Sequence, residues 1–186
     1  NGYVNLANLY VVLKKNKNAE KIYRQVIKIN PNSELGNLNL GTLLMDQGEL
    51  KEAEELFLKT IEINNKCANA FFSLSKFKDI HNNKSFKKDL FNDDLLSNQN
   101  ELSKVNIFFA RSNINHLEKK YNESSKNLIL ANTIKSRIYR SDAEKRIKFV
   151  DYIYHQHSKN DLNNELLLQR KNYFFIVGMP RSGSTL

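Results

Sequence analysis

The end of the chain holds the side chains best suited to chemistry, because it places glycines, hydroxyls and one arginine in a short turn. The aromatic and β-branched run at 173–177 directly precedes this turn and predicts a buried strand. Gly178 and Gly183 would let the backbone approach a ligand, while consecutive N–H groups and a following helix start would face it. The pattern therefore predicts an anion-binding loop of the phosphate-cradle type, with Arg181 as its cation.

The loop differs from the ordinary nucleotide-binding P-loop, in which glycine and four further residues precede Gly-Lys-Ser/Thr. Gly178 and Gly183 keep that separation, but Ser184 stands where the lysine belongs. Residues 180–186 read Pro-Arg-Ser-Gly-Ser-Thr-Leu. This segment resembles the 5′-phosphosulfate-binding loop of sulfotransferases that use 3′-phosphoadenosine 5′-phosphosulfate (PAPS). It matches the form Pro-Arg-Ser-Gly-Thr-Thr-Leu at every position except Ser184, which keeps the hydroxyl.

The resemblance implies a role for each loop residue. Arg181 would be the catalytic cation, since a planar guanidinium suits the charge that spreads over a sulfuryl group in transfer. No metal is required. The same resemblance places the 3′-phosphate site and the catalytic base downstream of Leu186, so we expect the chain alone to be inactive. The implied PAPS-binding residues are Pro180, Arg181, Ser182, Gly183, Ser184 and Thr185.

The first third of the chain repeats itself at a spacing of 34 residues. Large, small and terminating residues recur, and the small ones would let paired helices approach closely. The first set is Tyr3, Leu6, Ala7, Tyr10, Ala19, Tyr23 and Pro31, and the second is Asn37, Leu40, Gly41, Leu44, Ala53, Phe57 and Asn65. The pattern resembles that of tetratricopeptide repeats (TPR). It predicts helices near 2–14, 17–29, 34–47 and 51–63.

Beyond these units the repeat pattern weakens. A third unit begins with Phe71, Leu74 and Ser75 and then loses the pattern, and residues 80–100 predict a polar loop with one short helix near 85–91. Ser97 or Asn98 is expected to cap a helix that runs to about residue 117. Residues 108–132 predict a helical hairpin with its turn at 121–124. A capping box of Ser141 and Glu144 predicts a helix to about residue 157.

These patterns predict an all-α, TPR-like solenoid of helical hairpins, followed by the first strand and P-loop-like turn of an incomplete α/β sulfotransferase domain. We divide the chain into two TPR units at 1–66, degenerate TPR-like and connecting helices at 67–170, and the start of the sulfotransferase domain at 171–186. The order resembles that of bacterial TPR–sulfotransferase fusion proteins. Such a parent would transfer a sulfuryl group from PAPS to a hydroxyl or amine acceptor of unknown identity.

Composition limits the partners. A net charge of +9 and a pI near 9.5 invite an anionic partner, but no stacking platform or reader motif accompanies the bases, so nucleic-acid binding is not expected. The single cysteine, Cys67, fits a reducing compartment and packing in a core. The four histidines form no metal pair. No apolar run reaches membrane-spanning length. We expect a cytoplasmic protein that continues before Asn1, so a targeting signal could precede it.

Two other function classes stay open. The first is a TPR adaptor that holds a protein or peptide in its groove without catalysis. The groove candidates supply two amides and no cation, which argues against a clamp for a terminal carboxylate. The second is a degenerate P-loop nucleotide-binding protein, against which the missing lysine after Gly183 counts. The groove candidates are Val4, Asn8, Val11, Leu38, Asn39, Thr42 and Met45.

Overall fold

A computed structural model describes residues 2–139, 145, 147–153 and 155, and all of its regular structure is helical. The chain divides into a unit of residues 1–140 and a unit of residues 141–186. One hydrophobic core runs along the first unit, from Val4 to Ile114. The helices of the first unit are α1 (Gly2–Val12), α2 (Asn16–Ile29), α3 (Glu34–Gln47), α4 (Leu50–Ile63), α5 (Ala68–Leu74), α6 (Lys84–Leu90), α7 (Glu101–Leu117) and α8 (Tyr121–Ile138).

The first four helices form two hairpins in the predicted register. The small residues at the helix crossings are fully buried, with Ala7 facing the α1–α2 contact and Ala53 the α3–α4 contact. A methyl group added at Gly41 would come within 3.0 Å of the Phe57 ring, so the repeat needs a small residue there. Close approach of the helices therefore explains the repeated small residues, and the helix ends agree with the prediction within two residues.

Helices α7 and α8 form a third hairpin with the same internal spacing. Ser112 and Ser124 are 12 residues apart, as are Ala7 and Ala19 in the first hairpin. Both serines are buried, and each hydroxyl donates to the carbonyl of the other, at 3.0 and 2.9 Å. The third hairpin thus uses serine where the first two use alanine or glycine.

The turn of this third hairpin is not where the sequence prediction placed it. Residues 121–124 form the first turn of α8, and the chain reverses at residues 118–120. Lys119 adopts a left-handed conformation with φ 60°, as Lys14 and Gly48 do in the first two hairpin turns. After each of these residues, the next N–H closes the preceding helix by bonding to a carbonyl five residues back. The three turns are therefore of one kind.

An insertion of short helices separates α5 from α7. It contains α6 and two 3₁₀ turns, Ile80–Asn82 and Asp93–Leu96, so the predicted short helix is confirmed and the turns are additional. The expected cap of α7 was wrong. Asn100 caps it by accepting from the Ser103 N–H at 2.8 Å. Ser97 donates to the Asp94 carbonyl instead, and Asn98 has a left-handed φ of 59°.

In the second unit, residues 145, 147–153 and 155 are helical. They agree with part of the helix predicted to end near residue 157. The capping box of Ser141 and Glu144 and the predicted strand at 173–177 lie outside the described residues. No helix within the described ranges is long and apolar enough to cross a membrane.

Candidate partner-binding face

The helices α1, α3, α5 and α7 carry a polar face, on which asparagine side chains join neighbouring helices. Asn39 Nδ2 of α3 donates to Asn8 Oδ1 of α1 at 3.0 Å. Asn106 Nδ2 of α7 donates to Asn69 Oδ1 of α5 at 2.7 Å. Asn113 Nδ2 of α7 donates to the Ser75 hydroxyl, just after α5, at 2.9 Å. We call these five asparagines, Asn8, Asn39, Asn69, Asn106 and Asn113, the amide row.

At the α1–α3 end, the amide row borders a cavity of about 200 Å³. Tyr23 projects from α2 beneath it and donates its hydroxyl to Asn8 Oδ1 at 2.5 Å. Burial raises the pKa of Tyr23, so its hydroxyl stays a donor at neutral pH. Asn8 Oδ1 thus accepts from two donors, which fixes the orientation of this amide. Asp46 adds a carboxylate to the lining of the cavity.

Aromatic rings and cations occupy the α5–α7 part of the face. The Phe72 and Phe109 rings lie 6.0 Å apart and are both half-buried. Lys76 Nζ lies 4.3 Å from the centre of the Phe72 ring, and Lys135 Nζ lies 5.7 Å from that of Phe109. The face therefore offers an apolar strip flanked by positive charge. The groove residues predicted from sequence come only from the repeats at 1–66, so they do not include these rings and lysines.

The groove residues predicted from sequence fall into two groups. Val4 and Leu38 are buried at 4% and 8% exposure, so this part of the prediction was wrong. They occupy the stripe of each first helix that packs into the hairpin core. The others keep exposed or partly exposed side chains: Asn8, Val11, Asn39, Thr42 and Met45.

The amide row has hydrogen-bonding capacity to spare. Among the described residues, Asn8 Nδ2 and Asn39 Oδ1 make no hydrogen bond, so this pair offers one donor and one acceptor side by side. A primary amide is suited to pair with the N–H and C=O of a peptide backbone. The face can therefore hold an extended chain by its backbone and contact its side chains with Phe72 and Phe109.

Cys67, His81 and His116 have structural contacts. Cys67 is buried at the start of α5, and burial raises the pKa of its thiol to about 11, so the reactive thiolate is scarce at neutral pH. His81 Nδ1 lies 2.7 Å from the Lys78 carbonyl, and His116 contacts the Tyr121 ring edge-on. Within the described part of the chain, no group of three His, Cys, Asp or Glu residues could hold a metal.

The loop predicted to bind PAPS lies outside the described residues. This concerns Pro180, Arg181, Ser182, Gly183, Ser184 and Thr185.

Comparison with known proteins agrees with the hairpin geometry. Residues 4–74 match the tetratricopeptide repeat family. The match covers α1 from residue 4 and the whole of α2 to α5. Two curated relatives are similar to part of the chain, the proteins named protein O-mannosyl-transferase TMTC3 of Homo sapiens and of Mus musculus. Each is 30% identical over 76 residues, which is 40% of this chain and 8% of the length of the relative.

Proposed function

We propose that the helical unit binds a protein partner, and that the amide row holds an extended peptide segment of it. The observation that carries this proposal is the pairing of asparagines between neighbouring first helices, which keeps unused amide groups on one exposed face. The TPR match supports it, because repeats of this family commonly bind protein partners. Stacked hairpins also build extended binding surfaces from equivalent positions.

A library of extended decapeptides would test this proposal. We expect binders to lose about 5- to 10-fold in affinity on Asn39→Ala or Asn106→Ala, as removal of about one backbone hydrogen bond implies. Phe109→Ala should weaken binders that carry an apolar residue. Asn18→Ala is the matched control, because Asn18 is an exposed asparagine on α2, away from this face. Equal losses in the control and the face variants, or a library without binders, would refute the proposal.

We also propose that the parent protein is a PAPS-dependent sulfotransferase to which this helical unit brings a partner or acceptor. The match of residues 180–186 to the phosphosulfate loop supports this, as does the absence of the P-loop lysine after Gly183. In the reaction, the S–O bond to the PAPS phosphate breaks while the acceptor oxygen or nitrogen bonds to sulfur. Adenosine 3′,5′-bisphosphate would leave with the bonding electron pair, and Arg181 would offset the charge that develops on it. The proton of the acceptor would pass to the general base that the resemblance places downstream of Leu186.

The full-length parent is the protein in which to test this chemistry. We expect Arg181→Ala to lower kcat on the order of 100- to 1000-fold with a smaller loss of PAPS binding, and Arg181→Lys to recover part of the rate. Gly183→Val should abolish PAPS binding, because its side chain would block close approach of the backbone. Tighter binding of ATP–magnesium than of PAPS would replace the sulfotransferase with the degenerate P-loop alternative. The activity named for the mannosyl-transferase relatives stays theirs, since this chain spans 8% of their length.

A further inference from the structure

A second polar site lies between the insertion and the third hairpin. It is a cavity of about 660 Å³ bordered by α6, α7 and the start of α8. Lys84 and Lys88 come from α6, Phe91 follows that helix, and Arg111 and Asn115 come from α7. This volume exceeds that of a single inorganic ion and is within the range of pockets that hold small organic ligands.

Comparison of equivalent repeat positions shows why this cavity is polar. Arg111 and Asn115 lie 71 residues after Leu40 and Leu44, and all four belong to first helices in the same hairpin register. Leu40 and Leu44 are buried in the core at 1% and 2% exposure. Arg111 and Asn115 are almost as buried, at 8% and 5%. The third hairpin therefore places a cation and an amide where the second places two leucines.

The hydrogen bonds of these two residues are incomplete. Arg111 donates from Nε to the Leu90 carbonyl and from Nη2 to the Asn92 carbonyl, each at 2.9 Å. Within the described ranges, Arg111 Nη1 and the Asn115 side-chain amide make no hydrogen bond. No fully buried side-chain nitrogen or oxygen in those ranges lacks a partner, so these free groups must reach solvent. The cavity that both residues line is where they do so.

The charges around the cavity are unbalanced. Its lining holds five cations, from four lysines and Arg111, and two carboxylates, Glu118 and Glu123. Glu118 pairs with both Lys87 and Lys120, at 2.6 and 2.7 Å. In the part of the chain that the structure describes, Lys84 and Lys88 have no ion pair. The lining thus carries an excess of three positive charges, which favours an anion.

The Phe91 ring adds an apolar contact. It is 39% exposed at the edge of the cavity, and the Arg111 guanidinium carbon lies 5.7 Å from its centre. A flat group of a ligand could pack on this ring while its anionic end meets the lysines, the free Nη1 and the Asn115 amide. Oxyanions such as phosphate and sulfate match fixed guanidinium and amide donors.

We propose that this cavity is a binding site for a small aromatic or heterocyclic molecule that carries a phosphate or sulfate ester. It shares no lining residue with the amide row. The ester oxygens contact Arg111, Asn115 and the α6 lysines, and the ring packs on Phe91.

Titration of the full chain with phenyl phosphate, phenyl sulfate and inorganic phosphate, followed by NMR and calorimetry, tests the site. We expect both esters to shift the Asn115 side-chain amide and the Arg111 Nε–H signals. Inorganic phosphate should bind more weakly because it cannot use Phe91. The ester that binds more tightly shows whether the site prefers phosphate or sulfate. Unchanged Asn115 signals with every probe would overturn the proposal, as would tighter binding of a polyglutamate peptide than of either ester.

Paired charge reversals locate the site. Lys84→Glu with Lys88→Glu should weaken ester binding at least about tenfold. Lys17→Glu with Lys21→Glu is the control, because these lysines are also four residues apart, exposed on a helix and without an ion pair among the described residues. The control should change affinity less than about twofold, and an equal loss would mean that only net charge matters. Asn115→Leu, which restores the residue type of Leu44, should keep the fold and lose ester affinity.

Discussion

The side chain of Arg111 holds the insertion against the third hairpin, and its replacement should release α6. Arg111→Leu restores the residue found at the equivalent position 40. The variant loses two hydrogen bonds from a charged donor, to the Leu90 and Asn92 carbonyls at 2.9 Å. Such bonds contribute about 1.5 to 3 kcal/mol each, so the gross loss is about 3 to 6 kcal/mol.

Part of this loss of stability is offset, because Arg111→Leu removes a buried cation. Burial lowers the pKa of Arg111, while the charge of Asp93 raises it, so desolvation is the larger effect on the guanidinium. In the described part of the chain Arg111 has no ion pair that offsets this desolvation. An apolar side chain at a buried charged position recovers such a cost. We expect a net destabilisation of about 2 to 4 kcal/mol.

Hydrogen exchange shows where this loss falls. Amides of α6 should lose most protection in Arg111→Leu, while those of α1 and α2 keep theirs, because those helices make no hydrogen bond with Arg111. Arg111→Lys should be intermediate, since a lysine keeps the charge but cannot reach both carbonyls with a planar fork. A free energy of unfolding that changes by less than about 0.5 kcal/mol, or protection lost equally in α1 and α6, would refute this role.

Three further predictions concern the hairpins and the buried thiol. Ser112→Ala and Ser124→Ala should each lower the free energy of unfolding by at most about 1 kcal/mol. In a double-mutant cycle they should couple by less than about 0.5 kcal/mol, because either hydroxyl keeps a carbonyl acceptor when the other is removed. Strong coupling would mean that the hydroxyls bond mainly to each other. Gly48→Ala should lower the free energy of unfolding, measured by chemical denaturation, by about 1 kcal/mol, because residue 48 has a φ of 88°. Lys119→Gly should raise it by up to about the same amount, because residue 119 has a φ of 60°. A more stable Gly48→Ala or a less stable Lys119→Gly would contradict the shared turn. Burial raises the pKa of Cys67 from 9.0 to about 11, so the folded state keeps a proton that the unfolded state loses, and the stability of the fold should fall as the pH rises from about 9 towards 11. Iodoacetamide at pH 7.5 should label this thiol only as fast as the chain opens. Rapid labelling of the folded protein would show that the thiol is exposed.

The first two hairpins could be predicted from sequence because their crossings use the smallest residues. The small residues recur at one spacing, Ala7 and Gly41 on the first helices and their partners on the second, with aromatic residues beside them. This spacing predicts both the pairing register of the helices and their ends. The insertion could be predicted only as a polar loop with one short helix, α6. Its 3₁₀ turns are too short to give a periodic pattern, and Asn100 was passed over as a cap although an Asn beside Glu101 is a typical helix start.

The third hairpin was placed out of register for two physical reasons. Because of the insertion, the third hairpin lies 71 residues after the second hairpin. This distance is not a multiple of 34, so the constant repeat spacing does not predict its position. Its crossing residues, Ser112 and Ser124, are polar by type and become suitable for a core only when each hydroxyl bonds to the opposite helix. A sequence pattern cannot show that pairing. The 12-residue separation of two small residues was the signal that would have found it.

The insertion and the polar residues of α7 depend on each other. A guanidinium at the position of Leu40 would be a buried cation in need of acceptors. The insertion supplies two, the carbonyl of Leu90 at the end of α6 and that of Asn92. The same arrangement uses only part of the donor capacity of Arg111 and none of that of the Asn115 side chain within the described residues. Packing alone does not require these polar groups, because an apolar side chain of similar volume fills such a position at lower cost. The free donors beside unpaired lysines are therefore better explained by a ligand than by stability.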